Sequence, residues 1–354
     1  MVRGWLLLAL TLVLAGGPGP AGATDRLEQF RRLAVAHLAL QELTGTPLTA
    51  APEIYALVDE EILESLQTGG PFASREFLQE RLDAFSETWG GAAFRLLPAR
   101  RAGRRSALVV GAFVLSRTGH ANSVRVYGQP GGAAALLRTL IGDGVPEIHE
   151  WPPARDGAAQ FAVSWLGIPS GRGSRALRLD LWRQRGENEV ARVWSSAEHF
   201  PDGLWAARFA VRSGTVFVRS ELRYPGWKPG CDGQAEQEDE FRWVPAADTL
   251  RLARRQIFNG WHRELQASVA RFFKALGEGD RRALAELVPD SAVRSRLPAR
   301  LIPEPACEFQ NPDTPGTVVV AATEERPGGR APWSLWWSRA PRGWRVAGVA
   351  PVLQ

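Results

Sequence analysis

"ADTLRLARRQIFNGWHRELQASVARFFKALGEGD", Ala247 to Asp280, decides how the chain divides. Leu250, Ala253, Ile257, Trp261, Leu265, Val269, Phe272 and Leu276 recur at spacings of 3 or 4, and that period predicts one long helix, bent at Asn259-Gly260. A helix here leads directly into the carboxy-terminal region without a floppy linker.

Upstream, from about residue 92 to 247, short runs rich in β-branched and aromatic residues are separated by turn residues: "SALVVGAFVLSR", "NSVRVYG", "AQFAVSWLGI", "RALRLDLWRQ", "EVARVWSS", "GTVFVRSELRY" and "DEFRWVP". Ser213-Gly214 and Gly186-Glu187-Asn188 sit between such runs, so neighbouring strands read as hairpins of an extended antiparallel sheet. "GGAAALLRTLIGDG" reads as a helical interruption. Residues 24–91 read as helices, with Pro52 suited to a first turn, Gly69-Gly70 to a stop and Ser74 to an N-cap. At the amino terminus, Arg3, the apolar run Trp5–Ala15 and Ala21-Gly22-Ala23 form a secretory leader, 1–23. The domains expected are thus 1–23, 24–91, 92–247 and 248–354.

No later stretch approaches the roughly 20 apolar residues of a spanning helix, so an exported chain, periplasmic or secreted, without a transmembrane segment is expected. The formal charge is +5, almost wholly from arginine, since Lys228 and Lys274 are the only lysines. The basic run "PARRAGRR" (Pro98–Arg105) carries no aromatic residue, which argues against a nucleic-acid footprint; contact with anionic lipid headgroups is the functional alternative to a solvated turn. Cys231 and Cys307 are the only cysteines. In an oxidising compartment they pair, closing a loop worth about 4 kcal/mol in the chain-entropy account, and no nearby His or second Cys offers zinc-like spacing.

"SVARFFKALGEGDRRALAELVPDSAVRSRL" followed by "PWSLWWSRAPRGWRVAGVAP" resembles the NTF2-like (SnoaL-like) superfamily across 262–354, through Phe272, Asp280, Leu284, Leu287, Trp333, Leu335, Arg339, Gly343, Trp344 and Val346. The resemblance implies a cone-shaped module of helices in a curved sheet, with room for a pocket but no defined reaction. The fold class expected is therefore α+β: amino-terminal helices, an extended antiparallel sheet and an NTF2-like cone.

Catalytic motifs are scarce. "GRGSRA" (Gly171–Ala176) precedes a strand and not the helix that would receive a pyrophosphate; neither a nucleophile elbow nor a paired-histidine zinc helix is present. No cofactor or metal is indicated. Glu236, Glu238 and Asp239, together with His262, are the residues an envelope hydrolase of carbohydrate type would use. Strand alternation places Glu238 and Glu240 beside Arg242 on one face, with Phe241 and Trp243 on the other; the competing reading is a charged edge strand that discourages pairing. Trp336, between Ser334 and Ser338, is the best candidate for a ligand-facing ring, and Phe272 and Phe273 are candidates to line a carrier cavity. Three functions follow: a non-catalytic envelope binding or scaffolding protein for a glycan, lipid or protein partner; the hydrolase; and a carrier of a small apolar ligand. A cleft uniting the acidic cluster with a histidine would favour the second, and an enclosed apolar cavity the third.

Overall fold

The computed structural model describes residues 21–38, 50–89, 92–99, 108–116, 119, 121–170, 173–247, 249–326 and 329–352. Residues 1–20 of the leader, the arginines of "PARRAGRR" and His120 lie outside the described residues.

Helices α1 (Ala21–Leu33), α2 (Ala51–Thr68) and α3 (Arg75–Thr88) open the chain. Pro52 lies in the first turn of α2, where its missing N–H costs no helical bond. Ser74 caps α3 by accepting the Phe77 N–H at 3.2 Å. These helices cover a four-stranded antiparallel meander, β1 (Ala93–Ala99), β2 (Leu108–Val114), β3 (Ser123–Gly128) and β4 (Ala135–Ile141). Phe30, Ile54, Ile62, Leu82 and Phe85 pack there against Phe94, Phe113 and Tyr127. Asp59 of α2 takes an ion pair from Arg125 and a 2.7 Å bond from Tyr127, pinning the helix to β3. The Gln79 side chain bonds both Phe94 O and Leu96 N, satisfying backbone groups of the β1 edge that would otherwise invite another strand.

The segment "GGAAALLRTLIGDG" forms β4, not the helix its composition predicts. Gly131 and Gly132 turn with φ of 59° and 87°, which folds the following residues back onto β3 as a ladder from Gly128↔Ala135 to Ser123↔Ile141.

The second sheet comprises β5 (Val145–Glu150), β6 (Gln160–Pro169), β7 (Arg175–Arg185), β8 (Glu189–Ser195), β9 (Leu204–Arg212), β10 (Thr215–Glu221), β11 (Glu236–Val244) and β12 (Thr249–Phe258). Their order is β12-β11-β10-β9-β7-β6-β5, with β8 also on β7. Phe161, Val163, Trp165 and Trp182 pack against Val110, Val124 and Val126 of the first sheet. On the opposite face Leu179, Leu181, Val216, Val218 and Phe241 form a separate core with Trp151 and Trp194.

Two expectations change here. The first half of Ala247–Asp280 is a strand: β12 pairs with β11 from Glu236↔Phe258 to Val244↔Thr249. The residues Arg251 to Ile257 are exposed, so their helical spacing marks no buried stripe, and hydrogen bonding to β11 wins over propensity. Asn259, at φ 51°, turns the chain into helix α4 (Gly260–Glu278). In consequence β11 is an interior strand with neighbours on both sides, and β12 takes the edge.

The last region has α4, α5 (Arg281–Leu287) and α6 (Ser291–Ser295) against strands β13 (Leu301–Pro303), β14 (Phe309–Gln310), β15 (Thr317–Arg326), β16 (Gly329–Ala340) and β17 (Gly343–Pro351). The sheet order is β13-β15-β16-β17, with β14 on β15. Phe272, Leu335 and Trp337, all fully buried, fill the space between helix and sheet together with Trp333, Trp344 and Val346. The expected NTF2-like cone is corrected on this evidence. The tryptophans alternate with aliphatics because one face of the β16–β17 hairpin is covered by helix, a pattern any such hairpin produces. The architecture is sheet-rich, three antiparallel sheets with helices preceding the first and the third, and no cone-shaped NTF2-like module is formed among the described residues.

Cys231 and Cys307 form a disulfide with Cα atoms 5.4 Å apart, joining the β10–β11 connection to the β13–β14 connection. No helix among the described residues is long and apolar enough to cross a membrane. Both features are compatible with an exported protein.

Candidate ligand groove beside a buried Tyr–His–Glu network

Beyond β10 the chain turns through Tyr224–Gly230, where Trp227 N–H bonds Tyr224 O at 2.8 Å. From α4, His262 and Gln266 are one helical turn apart and point the same way. They meet Glu308, which follows Cys307 directly. His262 Nε2 is 3.0 Å from Glu308 Oε2, and Lys228 Nζ is 2.6 Å from Oε1. Gln266 Nε2 donates to the same Oε1. On the other side of the imidazole, Tyr224 Oη lies 2.6 Å from His262 Nδ1, and that phenol oxygen also accepts the Ala235 N–H at 3.2 Å. Gln234 binds the turn from within, accepting from the Lys228 N–H at 2.7 Å and donating to Cys231 O at 3.0 Å.

The electrostatics favour an ionised Glu308. Burial pushes its carboxyl up, but bonds from His262 and Lys228 overcome that and bring it from an ordinary 4.5 to about 2. An ionised carboxylate only accepts, so in this contact the imidazole proton sits on Nε2. Burial raises the Tyr224 phenol. The chain Tyr–His–Glu thus has the connectivity of a nucleophile, base and orienting acid, yet the phenol is held in its neutral form, and its oxygen already takes a backbone N–H.

Beside this network runs a groove of about 400 Å³. Pro225, Gly226 and Lys228 form one wall, Val269, Ala270 and Phe273 of α4 the floor, and Pro303 to Pro305 with Glu308 the other wall. Gly226, at φ +89°, makes the first wall possible: a Cβ there would fall 2.4 Å from Gln266 Oε1. Two larger clefts, of about 590 and 450 Å³, follow β1 and β5; the first is wider open to solvent than the groove and is lined by Arg75, Gln79 and Asp83, and the second is more enclosed and is lined by Arg95, Glu147 and His149.

The residues predicted from sequence are dispersed. Glu236 and Glu238 stand on the open face of β11, Glu236 paired with Arg219 at 2.6 Å. Asp239 points the other way, is 2 % exposed and takes Arg255 at 2.8 Å. None of these three joins His262, whose carboxylate partner is Glu308. Phe272 is wholly inside the core, Phe273 lines the groove, and Trp336 lies opposite Gly348 and Val319 on the face of β16 away from Phe272 and Trp337. Among the described residues no group of His, Cys, Asp and Glu could hold a metal ion. Glu308 and Lys228 were not singled out from sequence, although one signal was available: residues beside two bridged cysteines must come together in space.

No family model matches the chain, and no curated protein does. Among solved structures it is similar to the Nup133 β-propeller domain of Vanderwaltozyma polyspora, at 7 % identity and a TM-score of 0.24, over 74 % of this chain and 63 % of that one. It is also similar to the α-L-arabinofuranosidase Arb93A of Fusarium graminearum bound to an iminosugar inhibitor, at 7 % identity and a TM-score of 0.25, over 75 % of this chain and 67 % of that one. The chain thus spans under two thirds of the Nup133 domain. Scores this low assign neither fold nor activity.

Proposed function

We propose that the chain is an exported, non-catalytic binding protein whose ligand is small and largely apolar, seated in the groove over Val269, Ala270 and Phe273. The observation that carries this reading is the saturation of the polar groups beside the groove. Each Glu308 oxygen already accepts a hydrogen bond, from Lys228 and Gln266 on one side and His262 on the other. What the groove offers a visitor is therefore mainly apolar surface with a fixed polar rim, the usual composition of a small-molecule site.

The hydrolase reading loses support from the dispersal of Glu236, Glu238 and Asp239 away from His262. The test is titration of the mature protein with a hydrophobic fluorescent probe and a panel of small apolar ligands. Saturable binding that Phe273→Asp abolishes, with the thermal transition kept, is expected. Absence of saturable binding, or equal binding by the variant, would overturn the reading.

A further inference from the structure

The guanidinium of Arg223, just past the end of β10, lies over two indoles, 4.8 Å from the ring centre of Trp205 and 5.1 Å from that of Trp227. Arginine stacks on aromatic faces through its plane and leaves its N–H donors free at the edge. Arg223 is exposed and has no hydrogen-bond or ion-pair partner among the described residues. Its side chain is nevertheless ordered by the two rings, which lowers the rotamer entropy a ligand would have to freeze. The Trp227 Nε1–H, in the same cluster, is buried without an acceptor among the described residues.

A second guanidinium shares the face. Register places Arg208 of β9 directly opposite Arg219 of β10, a like-charged cross-strand pair that is unfavourable unless compensated. Glu236 compensates Arg219, and Glu221, on the same strand, accepts the Ser174 hydroxyl at 2.7 Å. Exposed Arg208 is left with no partner among the described residues.

We infer that the face carrying Trp205, Arg208, Arg223 and Trp227 binds a phosphate group, either a free phosphate ester or a lipid headgroup. A planar fork with its donors unengaged is suited to two oxygens of one phosphate, and the second arginine adds charge that a single neutral acceptor would not use. None of these four residues lines the groove, although Trp227 belongs to the turn that forms one of its walls.

The experiment has two arms on the full chain. One titrates inorganic phosphate and follows indole resonances by NMR; the other co-sediments the protein with phosphatidylglycerol vesicles against phosphatidylcholine vesicles. Binding in the first arm assigns a free phosphate group, and selective sedimentation in the second assigns a headgroup. In whichever arm responds, Arg223→Gln is expected to weaken binding about tenfold or more. Arg223→Lys, which keeps the charge but not the fork, should also weaken it, and it carries the test together with Arg208→Gln if the glutamine variant fails to fold. No response in either arm, or unchanged binding by the Arg223 variants, overturns the inference and leaves Arg223 as a packing pin for the Tyr224–Gly230 turn.

Discussion

His262 and Glu308 are 46 residues apart in sequence, yet their side chains meet at 3.0 Å with only 2 % and 4 % of each exposed. Two polar groups so deeply placed are costly unless each completes the other. Lys228 and Gln266 finish the set, so that one carboxylate ties the Tyr224–Gly230 turn, α4 and the segment after β13 together.

Glu308→Gln should therefore destabilise the protein, by about 3–5 kcal/mol if the loss resembles that of one partner from a buried pair. The pH dependence has a definite sign. The folded carboxyl titrates near about 2 against an ordinary 4.5, so its stabilisation is fully present above 4.5 and is lost as pH falls toward 2, amounting to roughly 3 kcal/mol. Urea denaturation at a series of pH values would show this loss in the wild type and a flatter profile in the variant.

His149 sets a second acid window. Its Nε2 is 2.9 Å from Ser164 Oγ, and burial lowers the imidazole from 6.5 to about 4. The unfolded chain takes the proton more readily, so stability is complete above 6.5 and falls as pH drops from 6.5 toward 4, by roughly 3 kcal/mol. His149→Gln should remove the slope in that range and leave the lower window intact. A slope unchanged by the substitution would show that His149 is not its source.

Cys231→Ser or Cys307→Ser should lower the melting temperature of an oxidised sample, with up to about 4 kcal/mol at stake from the closed loop. In a reducing buffer the wild type should melt with the variants. Because the bridge holds the groove's two walls together, ligand affinity measured on the reduced wild type is expected to fall alongside its stability.

The elements legible in the sequence were those fixed by near neighbours. Ser74 could be read as a cap because the N–H it accepts is three residues away, and the α4 half of Ala247–Asp280 because Leu265, Val269 and Phe272 are a buried helical stripe. The β12 half was not legible: Leu252 and Ile257 are exposed at 44 % and 47 %, and the force that holds this segment is pairing with β11, which no local period records. The alternation of Glu238 and Glu240 against Phe241 does describe the two faces of β11, but whether that strand is interior depends on its neighbour. The partner of His262 was hidden for the same reason. The amphipathic pattern of the closing hairpin was legible as well, though it carried no information about the superfamily it resembled.

Gly226 offers the sharpest test of how the groove is built. At φ +89° a side chain is strained whatever space surrounds it, and here a Cβ would also fall 2.4 Å from Gln266 Oε1 and 2.9 Å from its Cβ. Gln266 cannot withdraw freely, because its amide donates to Glu308 and its Cβ is fixed by α4. Gly226→Ala should thus cost about 1–3 kcal/mol, and it should move the turn that carries Lys228. The wall of the groove shifts with it, so the same variant is expected to weaken apolar ligand binding even under conditions where it is fully folded. Pairing it with Gln266→Ala, which removes the clashing Oε1 and Cδ but leaves the Cβ 2.9 Å away, should return part of the lost stability while the Cβ contact and the backbone strain persist; a double variant no more stable than the sum of the two single losses would show that the approach of Gly226 to the Gln266 amide does not limit this turn.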